Sequence, residues 1–219
     1  MARPYVILNA AMTLDGKIAT SSGDSKISSE ADLTRLHRLR SRVDAVMVGA
    51  GTILADNPSL TVRRVKGKNP IRVVVDGMAR IPTDARVLDQ SAKTIVAVLK
   101  AADEKKVEGL RRAGAEVLLF DGEQINLRSL LEELHRRGIR KLLLEGGSTL
   151  NWNMIAAGLV DEIQVTVAPR IVGGAAAKTL VGGAGFPTVK EGVKLRLSKI
   201  TKVGSDVLLI YRVTGAKRD

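Results

Sequence analysis

Three stretches of this 219-residue chain set glycines directly after an apolar run. A backbone needs that arrangement to come close to a phosphate or a nucleotide. The first, Val48-Gly49-Ala50-Gly51-Thr52, holds part of a dinucleotide fingerprint, but the third glycine of that pattern would fall on Leu54. These residues read equally as a tight strand-to-helix turn. In the second, Leu144-Glu145-Gly146-Gly147-Ser148-Thr149-Leu150, an apolar strand runs into an acid, two glycines, two hydroxyls and a helix. Its free N–H groups and hydroxyls suit a pyrophosphate, or they form a plain turn with Ser148 as the helix cap. Packing poorly explains a glutamate directly after an apolar strand, so Glu145 is expected at a strand tip facing a cleft. The third, Pro169-Arg170-Ile171-Val172-Gly173-Gly174, leads into a loop expected to line or cover the site.

Polar clusters lie between these stretches. Met12-Thr13-Leu14-Asp15-Gly16-Lys17 and Gly23-Asp24-Ser25 read as turn-rich loop. Asp56-Asn57-Pro58-Ser59-Leu60-Thr61-Val62-Arg63 follows the first glycine turn. Arg40 and Arg63 suit a substrate phosphate because arginine gives bidentate contact, although a single arginine in so basic a chain is more often a solvated one. His37 and His135 lie on predicted helix faces without ligand-type spacing, which favours structural or surface roles. No metal pattern is present. Trp152 and Met154 read as packing residues.

The elements that must position these groups alternate. Strands are expected at Tyr5–Ala10, Val43–Val48, Ile71–Val75, Thr94–Leu99, Glu116–Phe120, Lys141–Leu144 and Glu162–Ala168, with two longer ones over Val193–Val213 around Val203-Gly204-Ser205-Asp206. Helices are expected at Ser29–Ser41, Asp103–Ala113, Asn126–Arg137 and Ser148–Ala157, with a short one after Gly51. Ser29 and Asp32 make a capping-box-like start, with Leu33, Leu36 and Leu39 near one face. Asn126 caps the third of these helices and Gly138 stops it. This βαβ alternation, closed by an antiparallel pair, predicts an α/β fold with a mostly parallel sheet flanked by helices. No linker divides the chain, so a single domain over 1–219 is expected.

Composition narrows the function. Apolar residues make up 45% and aromatics only 2%, so Val, Leu, Ile and Ala must build the core, as in a parallel sheet covered on both faces. Without cysteine there is no disulfide, thiolate metal site or cysteine nucleophile. No apolar run approaches the roughly 20 residues of a membrane helix, and the first residues run straight into a strand; cytoplasmic placement is expected. The net charge of +12 fits nucleic-acid binding or a phosphorylated substrate and cofactor. The cations are spread along the chain without interleaved aromatics or a nucleic-acid motif, which favours the small molecule.

Taken in order, Met12-Thr13-Leu14-Asp15-Gly16-Lys17-Ile18-Ala19, Gly23-Asp24-Ser25, Val48-Gly49-Ala50-Gly51-Thr52, Asp56-Asn57-Pro58, Leu60-Thr61-Val62-Arg63, Val75-Asp76, Leu144-Glu145-Gly146-Gly147 and Leu159-Val160-Asp161-Glu162 make the chain resemble the riboflavin-biosynthesis reductases, their archaeal branch most of all. The resemblance covers almost the whole chain. It implies a dihydrofolate-reductase-like fold, a homodimer, and hydride transfer from NADPH to C1′ of a phosphoribosylamino-pyrimidine in its ring-opened imine form. Carried over by motif, the cofactor would touch Ala11, Thr52, Asp56, the backbone of Val75, Asp76 and Gly77, and the turn of Gly146, Gly147, Ser148, Thr149, Leu150 and Asn151. Ser25, Arg40, Leu60 and Arg63 would hold the phosphosugar, with Glu145 at the substrate end. Bacterial relatives fuse this domain to a zinc deaminase, which a chain without cysteine is expected to lack.

The chain departs from the family at two positions. Asn9 stands where many bacterial members have lysine, so that lysine is no obligatory acid here. Gly77 stands where many have a serine able to bind the 2′-phosphate of NADPH, which leaves NADH admissible unless Lys100, Arg80 or Arg112 compensates. The proton for the imine or the departing ring oxygen would come from Asp15, Glu145 or water. Two rivals are a folate or pteridine reductase on the same fold and a non-catalytic nucleotide- or RNA-binding module. Ser29–Ser41 lacks a clear match to the pterin-protonating acid, and the RNA reading leaves the Glu-Gly-Gly-Ser-Thr turn unexplained.

Overall fold

A computed structural model describes residues 2–214. Its elements, in order, are β1 (Tyr5–Thr13), α1 (Glu30–Arg40), β2 (Ala45–Gly49), α2 (Ala50–Asp56), β3 (Ile71–Val75), β4 (Thr94–Leu99), α3 (Glu104–Arg112), β5 (Glu116–Phe120), α4 (Leu127–Arg136), β6 (Lys141–Leu144), α5 (Ser148–Ala156), β7 (Glu162–Ala168), β8 (Leu195–Val203) and β9 (Asp206–Val213). The nine strands are ordered β5-β4-β3-β2-β6-β1-β7-β9-β8. Pairing is parallel for β2–β3, β3–β4, β4–β5 and β1–β7, and antiparallel for β7–β9 and β8–β9. This is the mostly parallel α/β sheet with a C-terminal antiparallel pair that the alternation predicts. The chain gathers into two compact units, one built on His37–Leu143 and the other on Tyr5–Leu36 together with the chain from Leu144 onward.

In the His37–Leu143 unit every residue of β4 is buried, as are Val73 and Val74 of β3 and Ala45 to Val48 of β2. Strands covered on both faces lose the polar/apolar alternation, which is why TIVAVL and IRVVV read as continuous apolar runs. The arginine within IRVVV is the exception. Arg72 is fully buried, yet its Nε donates to Thr94 Oγ1 at 2.9 Å and its Nη1 pairs with Asp89 Oδ1 at 2.7 Å. Its Nη2 also donates to the carbonyls of Asp89 and Ala92. A buried guanidinium with this many partners holds the segment between β3 and β4 in place. Of the helices, α4 begins as predicted: Asn126 accepts from the Ser129 N–H at 3.0 Å, and Gly138 follows the helix with φ +89°.

In the other unit β1 runs to Thr13, three residues beyond its expected end, because its parallel register with β7 continues to Thr13 opposite Ala168. The hairpin of β8 and β9 turns at Gly204, whose φ is +62°. A Cβ there would lie 2.9 Å from that of Ala31, so the turn sits tightly against the start of α1. The cap of α1 is shared. Ser29 Oγ accepts from the Asp32 N–H at 3.3 Å, while the Ser29 N–H is taken by Asp206 Oδ2 of the hairpin at 3.0 Å and not by Asp32. The predicted capping box is therefore half local and half tertiary.

The predicted apolar face of α1 is corrected. Leu33, Leu36 and Leu39 are only half-buried, and the buried residues are Asp32, His37 and Arg40. What this helix covers is polar. Asp32 Oδ1 accepts from Thr166 Oγ1 and from Arg35 Nε, both at 2.7 Å, and Arg35 reaches Asn9 Oδ1 at 2.7 Å and Gln164 Oε1 at 3.0 Å. Hydrogen bonding inside the structure, not burial of leucine, fixes the helix's orientation.

Candidate active site

In the His37–Leu143 unit the first glycine turn lies at the end of β2. Gly49 precedes α2 with no side-chain cap, and Thr52 stands half-buried in its first turn. Among the described residues nothing beyond its own helix lies within 4 Å of where a Cβ on Gly51 would stand, so internal packing does not require that glycine; close approach of a ligand would. Asp56 is exposed at the far end of α2, and Asn57 closes it in the left-handed conformation with φ +40°. The next turn holds Leu60 at φ +54° with its side chain buried.

Arg40 and Arg63 come together around Thr61. Arg40, itself buried, donates through Nη1 to the Thr61 carbonyl at 3.1 Å, and Arg63 Nη1 donates to Thr61 Oγ1 at 3.0 Å. Burial, and then the charges of Arg40, Arg86 and Arg64, push the Arg63 guanidinium below its ordinary pKa. Guanidinium groups close enough to oppose one another's charge make a local field that favours an anion. Motif matching pointed to Arg40 and Arg63 but missed Arg64 and Arg86, which have no spacing signature. It also gave His37 a bland role, whereas His37 Nδ1 accepts from the Arg63 main-chain N–H at 2.9 Å.

At the end of β3, Val75 and Gly77 are half-buried and Asp76 is fully buried. Asp76 Oδ2 accepts from the Ile81 N–H at 2.8 Å, which closes a turn, and Arg80 Nε lies 3.6 Å from Oδ1. Of the three cations offered as partners for a cofactor phosphate, Arg80 stands beside this turn, and Lys100 pairs with Asp121 at 2.9 Å.

In the other unit Ala11 is half-buried on β1, and Ser25 is exposed in the following loop, its carbonyl accepting from the Ile27 N–H at 2.8 Å. Asp15 ties that loop to the glycine-rich segment after β7: its two oxygens accept from the main-chain N–H groups of Val172 at 3.3 Å and Gly173 at 2.8 Å. Hydrogen bonding, first from the Thr13 hydroxyl, holds the Asp15 carboxyl below its ordinary pKa. The 170–182 stretch is thus an ordered strap. Glu145 stands half-buried at the tip of β6, followed by Gly146 at φ +87°. A Cβ on Gly146 would come within 3.1 Å of Asn151 Oδ1, so only glycine lets the turn fold back on the first coil of α5.

The strap occupies part of that coil. Ser148 Oγ donates to the Thr179 carbonyl at 2.7 Å, Asn151 Nδ2 donates to the Leu180 carbonyl at 2.8 Å, and the Gly182 N–H returns to the Ser148 carbonyl at 3.1 Å. Trp152 packs edge-on to Phe186 with ring centroids 5.0 Å apart, the packing role its position predicts. Thr149 is exposed and Leu150 buried. Among the described residues the buried Asn151 Oδ1 has no hydrogen-bond partner, and such an acceptor in the first turn of α5 fits a ligand that brings both donors and phosphate oxygens, as a nicotinamide dinucleotide does. Among the described residues no group of three or more His, Asp or Glu could hold a metal ion.

The mostly parallel α/β sheet with its C-terminal antiparallel pair is the dihydrofolate-reductase-like fold that the resemblance implies, and solved structures share it. The chain has a TM-score of 0.81 at 30% identity to the crystal structure of a diaminohydroxyphosphoribosylaminopyrimidine deaminase/5-amino-6-(5-phosphoribosylamino)uracil reductase from Thermotoga maritima, covering 96% of this chain and 57% of that one. Residues 4–209 match the RibD C-terminal domain, and the chain belongs to that family. It is 52% identical over 216 residues to the 2,5-diamino-6-ribosylamino-4(3H)-pyrimidinone 5′-phosphate reductase of Methanothermobacter thermautotrophicus, covering 97% of this chain and 100% of that protein. The protein of the same name from Archaeoglobus fulgidus is 45% identical over 221 residues, with 96% and 98% covered.

Proposed function

We propose that this chain reduces the ribosylamino side chain of 2,5-diamino-6-ribosylamino-4(3H)-pyrimidinone 5′-phosphate to the ribitylamino form, with NADPH as the hydride source. The carrying observation is identity of 52% across the full length of a reductase bearing that substrate's name. The guanidinium cluster at Arg40 and Arg63 supports the phosphate end of the reading.

When bound, the cofactor supplies the hydride. Gly146, Gly147, Ser148, Thr149, Leu150 and Asn151 would hold it, with Ala11, Thr52, Asp56 and the main chain of Val75, Asp76 and Gly77. Arg80, beside Asp76, is the cation assigned to favour NADPH over NADH. Arg40, Arg63 and the main chain of Leu60, whose side chain is buried, would hold the 5′-phosphate, and Ser25 is assigned to the phosphosugar by motif alone. Reduction of the C=N bond at C1′ would require a proton delivered to the imine nitrogen. Glu145 is assigned as the donor. Asp15 is held ionised and tied to the strap, so its part is to hold that strap in place.

The enzyme is read as a cytoplasmic homodimer without nucleic-acid partners. No helix among the described residues is long and apolar enough to cross a membrane. An apolar stripe on β8 and β9 supports pairing with a second copy. The register irregularity between Leu197 and Lys199 places Ile200 opposite Leu209, so Leu195, Leu197 and Ile200 share a face with Val213, Tyr211 and Leu209. All three residues on β8 are exposed.

Turnover of the phosphorylated ribosylamino-pyrimidine, followed by loss of the reduced nicotinamide absorbance, tests the activity. The expected result is formation of the ribitylamino product, with a far higher KM for the dephosphorylated compound. Turnover of dihydrofolate but not of the ribosylamino compound would overturn it.

A further inference from the structure

We propose that His37 is a positioning residue for phosphate recognition, acting through the main chain of Arg63; this rests on the phosphate reading of the Arg40–Arg63 cluster. The imidazole is 4% exposed on the inner side of α1. Its Nδ1 accepts from the Arg63 N–H at 2.9 Å, which requires the neutral ring with its proton on Nε2. Arg40, one turn further along α1, anchors the same loop at the Thr61 carbonyl at 3.1 Å. Between the end of α2 and these anchors the chain passes through Asn57 at φ +40° and Leu60 at φ +54°.

A leucine in that left-handed region is strained and persists only where its surroundings impose it. The loop therefore does not hold its shape by local preference. Its two anchors come from one helix, and His37 grips the very residue whose guanidinium meets the phosphate. Arg63 Nη1 also donates to Thr61 Oγ1 at 3.0 Å, so displacing the Arg63 main chain draws that donor away from its acceptor. Loss of the acceptor would leave Arg63 able to swing while the chemistry at Glu145 stays intact. The effect belongs in KM for the phosphorylated substrate, not in kcat or in cofactor affinity.

The test compares His37→Asn, His37→Leu, His37→Gln and Arg63→Ala, each checked by thermal melting. Asn offers an oxygen at the same bond distance from Cα as Nδ1, Gln offers one a bond farther out, and Leu offers none. One lost hydrogen bond predicts that His37→Leu and His37→Gln raise KM for the phosphorylated substrate roughly five- to tenfold, with kcat and the NADPH KM within about twofold and His37→Asn close to wild type. KM for the dephosphorylated compound should not move. If His37→Leu fails to fold, the Asn–Gln contrast decides. The proposal is overturned if Asn is as impaired as Leu or Gln, if the loss falls equally on kcat and both KM values, or if the dephosphorylated compound suffers alike. Arg63→Ala separates the two levels: a raised KM there with unchanged His37→Leu and His37→Gln sinks the positioning role alone, and an unchanged KM there sinks the phosphate reading itself.

Discussion

Two carboxylates at strand and loop tips of similar sequence character have different surroundings, and those surroundings sort their roles. Asp15 is exposed, accepts main-chain hydrogen bonds and is held below its ordinary pKa, which favours its charged form. A group that keeps its charge is a good latch and a poor acid. Glu145 stands half-buried directly before the glycine turn and is the donor proposed above. Glu145→Gln should lower kcat on the order of a hundredfold with little change in either KM, read by steady-state kinetics; full kcat across the pH range would remove the carboxylate from the proton step. The arginines show how far residue types alone carry the reading. Arg40 and Arg63 are legible from motif order, but Arg86 approaches from the other side of β3 in sequence. His37 lies 26 residues before its partner, a separation no local pattern can report.

At the scale of elements, periodicity located nearly every strand and helix, because buried parallel strands and capped helices leave strong local signals. Asn126 and Gly138 bracket α4 as expected. Periodicity failed for α1, where leucine spacing pointed to one face while Asp32, His37 and Arg40 define the buried one. Its reason is tertiary: Thr166, Asn9 and the Thr61 loop supply partners that spacing cannot foresee. Between β3 and β4 the partners are Arg72 and Asp89. Hydrogen bonds from Ser91 and then Arg72 bring the Asp89 carboxyl down to about 2. An unfolded aspartate titrates near 4, so this pair's stabilisation is whole above about pH 4 and fades as pH falls toward 2. Asp89 is half-exposed and water screens it, which keeps the effect small. Asp89→Asn should lower Tm by roughly 2–4 °C at neutral pH, with the gap from wild type closing as the melt is repeated toward pH 3. A gap that stays constant with pH would mean that the charge of Asp89 contributes nothing.

For the whole molecule, the stripe of Leu195, Leu197 and Ile200 on β8 is the apolar surface a second copy would cover. Ile200→Lys should convert the proposed dimer to monomer in sedimentation velocity at micromolar concentration, while the monomer keeps its far-UV signature; a dimer unchanged by the substitution would put the contact elsewhere, and a monomeric wild type would overturn the proposed dimer. Parallel pairing of β1 with β7 joins Ile7 to Glu162 and Thr13 to Ala168. The segment Tyr5–Leu36 therefore belongs to a unit whose remaining strands are encoded after Leu144. On the ribosome, the first strand to emerge must wait for most of the chain before it finds its neighbour, while His37–Leu143 has its own β2–β5 partners in hand. Closing so long a loop is slow. Synthesis should thus present an early, exposed Val-Ile-Leu segment beside an already compact middle, a natural target for chaperones, and the N-terminal strand should be among the last to gain protection from hydrogen exchange.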